Sequence, residues 1–235
     1  MLRWCSHCQE FQGEAPPYDD LRITHGICAS CEGVIDAFDA SDLAHARTLQ
    51  GIQSRLMDAG ARSDAQLAAR VIEDASKARV RAVDALMGIV APMLYEIGVQ
   101  WERAVLSVED EHRFTAFCEE LFSLVSERIA PSLRELADSE SVVVMNAPGN
   151  HHVLGLRILT LWLLDRGVRA WVVEPGKGPD DIVVLVRQVK PRLVLVSIAL
   201  PEQRPAVVEV ATAIAALPES IRPTVVVGGY AVKMG

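Results

Sequence analysis

From residue 141 onwards, short runs of valine and leucine alternate with longer amphipathic segments, and this alternation constrains the fold more than any other feature. The apolar runs are VVVMNAP (142–148), RAWVVEP (169–175), RLVLVSIAL (192–200) and TVVVGG (224–229). Nearly continuous apolar strands separated by helices predict a parallel sheet covered on both faces. Ligands of such sheets bind at the carboxyl ends of the strands. Three loops are therefore candidate sites: APGNHHVLG, SIALPEQ and GGYAVKMG.

The pattern places a Rossmann-like α/β domain at residues 139–235. The last residue follows soon after the fourth apolar run. We therefore expect the domain to lack the final strand and helix that a doubly wound fold normally has.

The region between residues 41 and 138 has helical periodicity and predicts a four-helix bundle. Ser41 is a candidate N-cap for the first helix, and Gly60 a candidate stop. Pro92 is expected to kink or break the third helix because proline lacks the N–H of the helical hydrogen bond. Ser107 is expected to cap the fourth helix, with acidic residues in its first turn.

A C-x2-C-x19-C-x2-C pattern near the N-terminus predicts a structural zinc site in a ribbon-like segment over residues 1–40. Its ligands are Cys5, Cys8, Cys28 and Cys31. Two disulfides or a redox pair are the alternatives, and disulfides are disfavoured in the cytoplasm. His7 and His25 could replace a cysteine ligand, but four cysteines suffice. Such a segment is expected to mediate protein contacts or dimerisation, whereas Cys118 is expected to be a buried helix residue.

The net charge of −8 and the pI near 5.3 argue against broad binding to a phosphate backbone, which requires a positive face. The N-terminus lacks the pattern of a secretory signal, and the runs VVLV and LVLVSIAL are too short to span a bilayer. We therefore expect a cytoplasmic protein that does not bind nucleic acid or membranes directly.

The three candidate loops resemble those of cobalamin-binding domains, and the resemblance extends over about residues 63–235. The first loop contains a close match to the DxHxxG phrase, which runs from Asn150 through His152 to Gly155. Ser197 matches the serine of the SxL phrase, and Gly228 with Gly229 matches the GG pair.

The resemblance implies that His152 ligates the cobalt of a base-off cobalamin, with His151 as its rival. The residue two positions earlier would hydrogen-bond the other ring nitrogen. Asn150 departs from the family's aspartate, so a less electron-rich imidazole and a weaker cobalt bond are expected. Ser197 and the two glycines would line the slot for the nucleotide tail, because that slot needs small residues.

The segment WERAVLSVEDEH contains Trp101, Glu111 and His112 and resembles the W-x9-EH phrase of the light-sensing branch of this family. In that branch the tryptophan covers the upper axial 5′-deoxyadenosyl group, and the glutamate accepts hydrogen bonds from its sugar. The histidine can take the upper position after light breaks the cobalt–carbon bond.

The resemblance implies a light-sensing regulator that binds adenosylcobalamin base-off between the helical bundle and the Rossmann-like domain. It would not be an enzyme, and it would act through a protein partner, such as a transcription regulator, as a homo-oligomer. The alternatives are a corrinoid methyl carrier, a sensor that binds heme or a bilin in place of or beside cobalamin, and an interaction protein with an empty pocket.

Overall fold

In the computed structural model, which describes residues 1–33, 40–129 and 141–233, the chain divides into two units, Met1–Pro131 and Ser132–Gly235. The cysteine-rich segment and the helices belong to the first unit. The predicted junction between residues 138 and 139 lies outside the described residues. The three predicted domain ranges, 1–40, 41–138 and 139–235, stay predictions.

The first unit begins with a small sheet whose order is β2-β1-β3. Its strands and the short helix after them are β1 (Leu2–Cys5), β2 (Phe11–Glu14), β3 (Ile23–Gly26) and α1 (Ala29–Glu32). The central strand β1 runs antiparallel to β2 and parallel to β3.

Four helical runs follow within residues 40–129. They are α2 (Ala40–Arg62), α3 (Ala65–Lys77), a composite run made of α4 (Ala82–Ala85), a π-helical turn (Leu86–Val90) and α5 (Ala91–Glu102), and α6 (Val108–Ser126). Ser107 caps α6 as predicted. Its hydroxyl accepts a hydrogen bond from the Asp110 N–H at 3.1 Å, and the Asp110 carboxylate accepts one from the Ser107 N–H at 3.2 Å. That the helices form a four-helix bundle stays a prediction.

At Pro92, where a kink or break was expected, the α-helix is interrupted by the π-helical turn Leu86–Val90, which directly precedes α5. In an α-helix the N–H of residue 92 would bond the carbonyl of Gly88, and proline has no such N–H. A wider turn accommodates the missing bond without ending the helix. The composite run therefore continues through Pro92 to Glu102.

Gly60 does not stop α2, which continues to Arg62. A Cβ atom on Gly60 would lie 2.5 Å from Cε2 of Phe114 and 3.0 Å from Cδ1 of Phe117. Both phenylalanines are buried residues of α6. The glycine therefore serves the close approach of α2 to α6 and not the end of a helix.

The composite run Ala82–Glu102 is long and apolar enough to cross a membrane by length and composition, and 56% of its most apolar window is buried within the protein. A core helix of a folded domain passes the same test. Its charged residues Asp84, Glu96 and Glu102 keep the run from standing out in the sequence as an uninterrupted apolar stretch.

The second unit confirms the predicted α/β fold. Its main elements are β4 (Ser141–Asn146), α7 (Leu154–Asp165), β5 (Arg169–Val172), α8 (Pro179–Val189), β6 (Leu193–Ser197), α9 (Arg204–Ala215), β7 (Thr224–Gly228) and α10 (Tyr230–Lys233). The strands are all parallel, in the order β5-β4-β6-β7. Short 3-10 turns precede α9 and β7.

The two faces of the sheet are covered unequally. Val143 and Val194 point to one face and pack in a cluster with residues of α8 and α9. On the opposite face, Val144 packs against residues of α7, and Val226 on β7 remains 45% exposed. The central strand is thus buried on both sides, whereas the α7 face is open over β7.

The close approach of α2 to α6 generates a stability prediction. We expect Gly60→Ala to lower the free energy of unfolding because overpacking a core contact costs about 1–3 kcal/mol. Gly51→Ala in the same helix is the matched control, since a Cβ there meets nothing within 4 Å. It should raise the free energy by up to about 1 kcal/mol through helix propensity. Urea denaturation measures both, and equal stabilisation by both variants would contradict the tight contact.

Candidate functional site

The carboxyl ends of three adjacent strands bring the predicted loops together. Asn146 at the end of β4 is the register partner of Ser197 at the end of β6. Ser197 is in turn the partner of Gly228 at the end of β7. Three of the chain's candidate segments therefore share one edge of the sheet, as expected for parallel strands.

The loop after β4 holds the backbone of His152 from two sides. The Oδ1 atom of Asn150 accepts a hydrogen bond from the His152 N–H at 3.0 Å. Asn146 donates from Nδ2 to the His152 carbonyl at 3.1 Å. Both asparagines are buried, and the side chains of His151 and His152 are exposed. The loop thus presents an accessible imidazole on a fixed backbone.

Asn150 uses its amide oxygen for the backbone in this structure. An asparagine that accepts from the N–H two residues later forms an Asx-turn, which is a common use of this side chain in loops. Its expected bond to the His152 ring stays a prediction. The sequence analysis did not single out Asn146, although a polar residue that ends an otherwise apolar strand was an available signal.

The paired glycines after β7 have different local roles. Gly229 has φ +105°, and a Cβ there would lie 2.6 Å from the carbonyl oxygen of Ile198 and 3.2 Å from Oγ of Ser197. A Cβ on Gly228 would meet nothing within 4 Å, and the same holds for Gly155 in the first turn of α7. Gly229 is required by the backbone, whereas Gly228 leaves open space beside the half-buried Ser197.

In the first unit, the residues of the W-x9-EH phrase lie at two helix ends. Trp101 is in the last turn of α5 and is 46% exposed. Glu111 is in the first turn of α6, where its Oε1 accepts a hydrogen bond from Oγ1 of Thr115 at 2.8 Å. His112 follows it with an exposed side chain, and its Nε2 lies 3.6 Å from Oε2 of Glu111. These placements on the helices agree with the sequence analysis.

The N-terminal cysteines form the predicted group. The sulfur atoms of Cys5, Cys8, Cys28 and Cys31 all lie within 4.8 Å of one another, and all four are free thiols. Burial opposes ionisation of Cys5, but backbone N–H groups of Cys8, Cys28 and His7 outweigh it and lower the pKa of Cys5 to about 6. Burial raises the pKa of Cys8, and a hydrogen bond with the Cys28 thiol raises that of Cys31 to about 11. The proximity of the four sulfur atoms is what could hold a metal ion.

The helices of the first unit relate the chain to known proteins. Residues 52–125 match the family model described as the B12 binding domain. The match runs from α2 into α6 and includes all three residues of the W-x9-EH phrase. It supports a cobalamin-binding family, as the loops of the second unit had indicated.

The fold is similar to that of a solved corrinoid protein at low sequence identity. The monomethylamine corrinoid protein of Methanosarcina barkeri is 18% identical with a TM-score of 0.58, and the alignment covers 77% of this chain and 84% of that chain. A novel cobalamin-binding protein from Desulfitobacterium hafniense is also 18% identical, with a TM-score of 0.40 and coverage of 76% and 83%. No curated protein matches the chain.

The glycine pair after β7 generates a second prediction. We expect Gly229→Ala to lower Tm by at least about 4 °C, because the left-handed backbone costs about 1–2 kcal/mol for any other residue and the new Cβ overlaps a carbonyl. Gly228→Ala is the control and should leave Tm near the wild-type value, since open space surrounds its Cβ. Differential scanning calorimetry measures both, and a similar Tm for the two variants would refute the assignment.

Proposed function

We propose that this protein binds a cobalamin and that His152 supplies the lower ligand of its cobalt. The match of residues 52–125 to the B12 binding domain carries the proposal. The edge of the sheet in the second unit supports it independently, because Ser197 and Gly228 end adjacent strands there and the loop that carries His152 follows the next strand.

The residues at this edge fit such a group. The His152 side chain is exposed, so a ring nitrogen is accessible to a metal. Gly228 has open space where a side chain would stand, and it adjoins Ser197, which suits a slot lined by small residues. Adenosylcobalamin, when bound, supplies a cobalt–carbon bond that visible light can break.

Two asparagines position the proposed histidine ligand. Asn146 and Asn150 are positioning residues, because they hydrogen-bond the backbone carbonyl and N–H of His152. Neither carries a charge, so neither can supply the carboxylate that strengthens many metal-bound histidines. We therefore expect the bond between His152 and cobalt to be weaker than it would be with a carboxylate partner.

We further propose that the protein is a light sensor and not an enzyme. The support comes from Trp101, a large aromatic side chain that stays 46% exposed at a helix end and is available to cover a cofactor. Glu111 is oriented by Thr115 and keeps a second carboxylate oxygen as an acceptor, and His112 presents an exposed ring. The protein would signal in the cytoplasm through a protein partner such as a transcription regulator. It would act as a homo-oligomer and would not contact nucleic acid or a membrane directly.

A corrinoid methyl carrier is the second candidate. The fold similarity to the monomethylamine corrinoid protein, with a TM-score of 0.58, favours it. A carrier needs an accessible upper face, whereas a sensor needs a covered one. The two functions therefore differ in what Trp101 does.

The first test uses adenosylcobalamin and the full chain in the dark. We expect the protein to retain the cofactor through desalting with a base-off spectrum, and to change that spectrum irreversibly after a green-light pulse. His152→Ala should abolish the base-off, histidine-ligated spectrum, whereas the adjacent His151→Ala should keep it. Trp101→Ala should alter the light response more than retention.

Each result of this test separates the candidates. A retained cofactor that is indifferent to light argues for the carrier, which is then assayed by transfer of a methyl group from bound methylcobalamin to a thiol with a partner methyltransferase. Retention of heme or biliverdin in place of cobalamin would show that the cofactor was misassigned. Failure to retain any of them would overturn the proposal.

The neutral partner of the histidine loop gives a separate prediction. Asn150→Asp keeps an oxygen acceptor for the His152 N–H and restores the carboxylate that the family resemblance places there, which would strengthen donation by the imidazole to a metal if it hydrogen-bonds the ring. We expect slower loss of cobalamin on dilution, measured by absorbance. Asn150→Ala removes the acceptor and should accelerate the loss. Equal rates for the two variants would show that this side chain does not act on the ligand.

A further inference from the structure

We propose that the four N-terminal cysteines hold one Zn²⁺ ion, and that the ion braces the π-helical turn Leu86–Val90 of the composite run. The inference concerns the first unit alone and does not depend on cobalamin binding. It gives the cysteine segment an internal role in addition to any contact with a partner.

The donor set suits zinc in a closed, structural site. Four sulfurs placed tetrahedrally at about 2.3 Å from zinc lie about 3.8 Å from each other. The Sγ atoms of Cys8 and Cys28 are 3.8 Å apart, and all four sulfurs lie within 4.8 Å of one another. Cys5, Cys28 and Cys31 are buried. Four thiolates fill the coordination shell, so a structural ion is favoured over a catalytic one.

The residue next to the first ligand connects this site to the helices. Trp4 precedes Cys5 in β1, is 1% exposed, and packs on Phe11 of β2 with ring centroids 5.4 Å apart. Both rings press on Gly88 within the π-helical turn. A Cβ on Gly88 would lie 2.3 Å from Cζ2 of Trp4 and 2.7 Å from Cδ2 of Phe11. The small sheet and the turn therefore fit only with hydrogen at this position.

Charged groups join the same two parts at the start of the composite run. Arg81, the residue before α4, places Nη1 3.8 Å from Oε1 of Glu10 and 3.6 Å from Oδ2 of Asp84. Glu10 belongs to the cysteine segment, and Asp84 is fully buried in α4. A buried carboxylate requires compensation from cations or hydrogen bonds. Because Arg81 lies near both Glu10 and the buried Asp84, a shift of the cysteine segment would disturb the charge balance at the start of α4.

The ion is expected to stabilise this packing because the cysteine segment is small. About 30 residues bury too few side chains to fold alone, and metal ligation commonly replaces the missing core. Loss of the ion would release β1 and β2, and with them the rings that press on Gly88. Trp101 lies in the last turn of the composite run. The order of that turn would therefore depend on the metal site, whose segment contacts the run at Gly88.

The metal site is tested on the full chain without any corrinoid. We expect Co²⁺ to bind with one equivalent and to give the intense visible bands of tetrahedral thiolate cobalt, which Zn²⁺ then removes. Cys8→Ser should weaken these bands, and Cys118→Ala, which changes a buried thiol of α6 outside the group, should leave them unchanged. Absence of the bands in the reduced protein would overturn the site.

The brace is tested by hydrogen exchange of the same protein with and without zinc. We expect removal of zinc to abolish protection in residues 82–102 as well as in 1–33, and to leave β6 protected. Loss confined to residues 1–33 would refute the brace while retaining the metal site.

A matched pair of variants separates the ion from the packing that transmits its effect. Gly88→Ala should still bind one equivalent of Co²⁺ and yet lose protection in residues 82–102. Gly98→Ala in the same run is the control, because a Cβ there meets nothing within 4 Å. Normal protection in Gly88→Ala would contradict the coupling. Neither result depends on cobalamin, so this inference and the proposed function fail independently.

Discussion

The register of the parallel strands is the constraint on which the candidate cofactor site depends. Asn146, Ser197 and Gly228 end adjacent strands at the same level, so residues far apart in sequence meet at one edge. The side chains of β4 pack alternately into the two clusters that cover the sheet, so a shift by one residue would move each of them into the opposite cluster. The chemistry of the edge is thus a consequence of how the valine-rich core packs.

Glycine supplies the second organising feature, in three different ways. Gly60 allows two helices to approach, Gly88 receives two aromatic rings, and Gly229 adopts a positive φ against a neighbouring carbonyl. Each is intolerant of a methyl group for a reason that involves a distant or adjacent segment. At these three positions, the absence of a side chain determines the packing as specifically as the apolar side chains do elsewhere.

Local patterns predicted much of this molecule and failed where distant residues decide the outcome. The alternation after Ser141 and the cap at Ser107 depend on nearby residues, and the structure agrees with both. The cysteine spacing predicted the grouping of four sulfurs that the structure shows, while the zinc ion stays a prediction. Gly60 looks like a helix stop in the sequence because its partner Phe114 is far away along the chain. The expected kink or break at Pro92 takes the form of a π-helical turn, which periodicity does not reveal.

The asparagine clamp on the histidine loop has an entropic consequence. With its N–H and carbonyl both engaged by buried side chains, His152 keeps freedom mainly about its side-chain torsions. Immobilising one side chain costs about 0.5–1.5 kcal/mol, whereas ordering a loop costs that and its backbone freedom as well. Metal binding at His152 would therefore cost little conformational entropy beyond that of its side chain, because its backbone is already held in place.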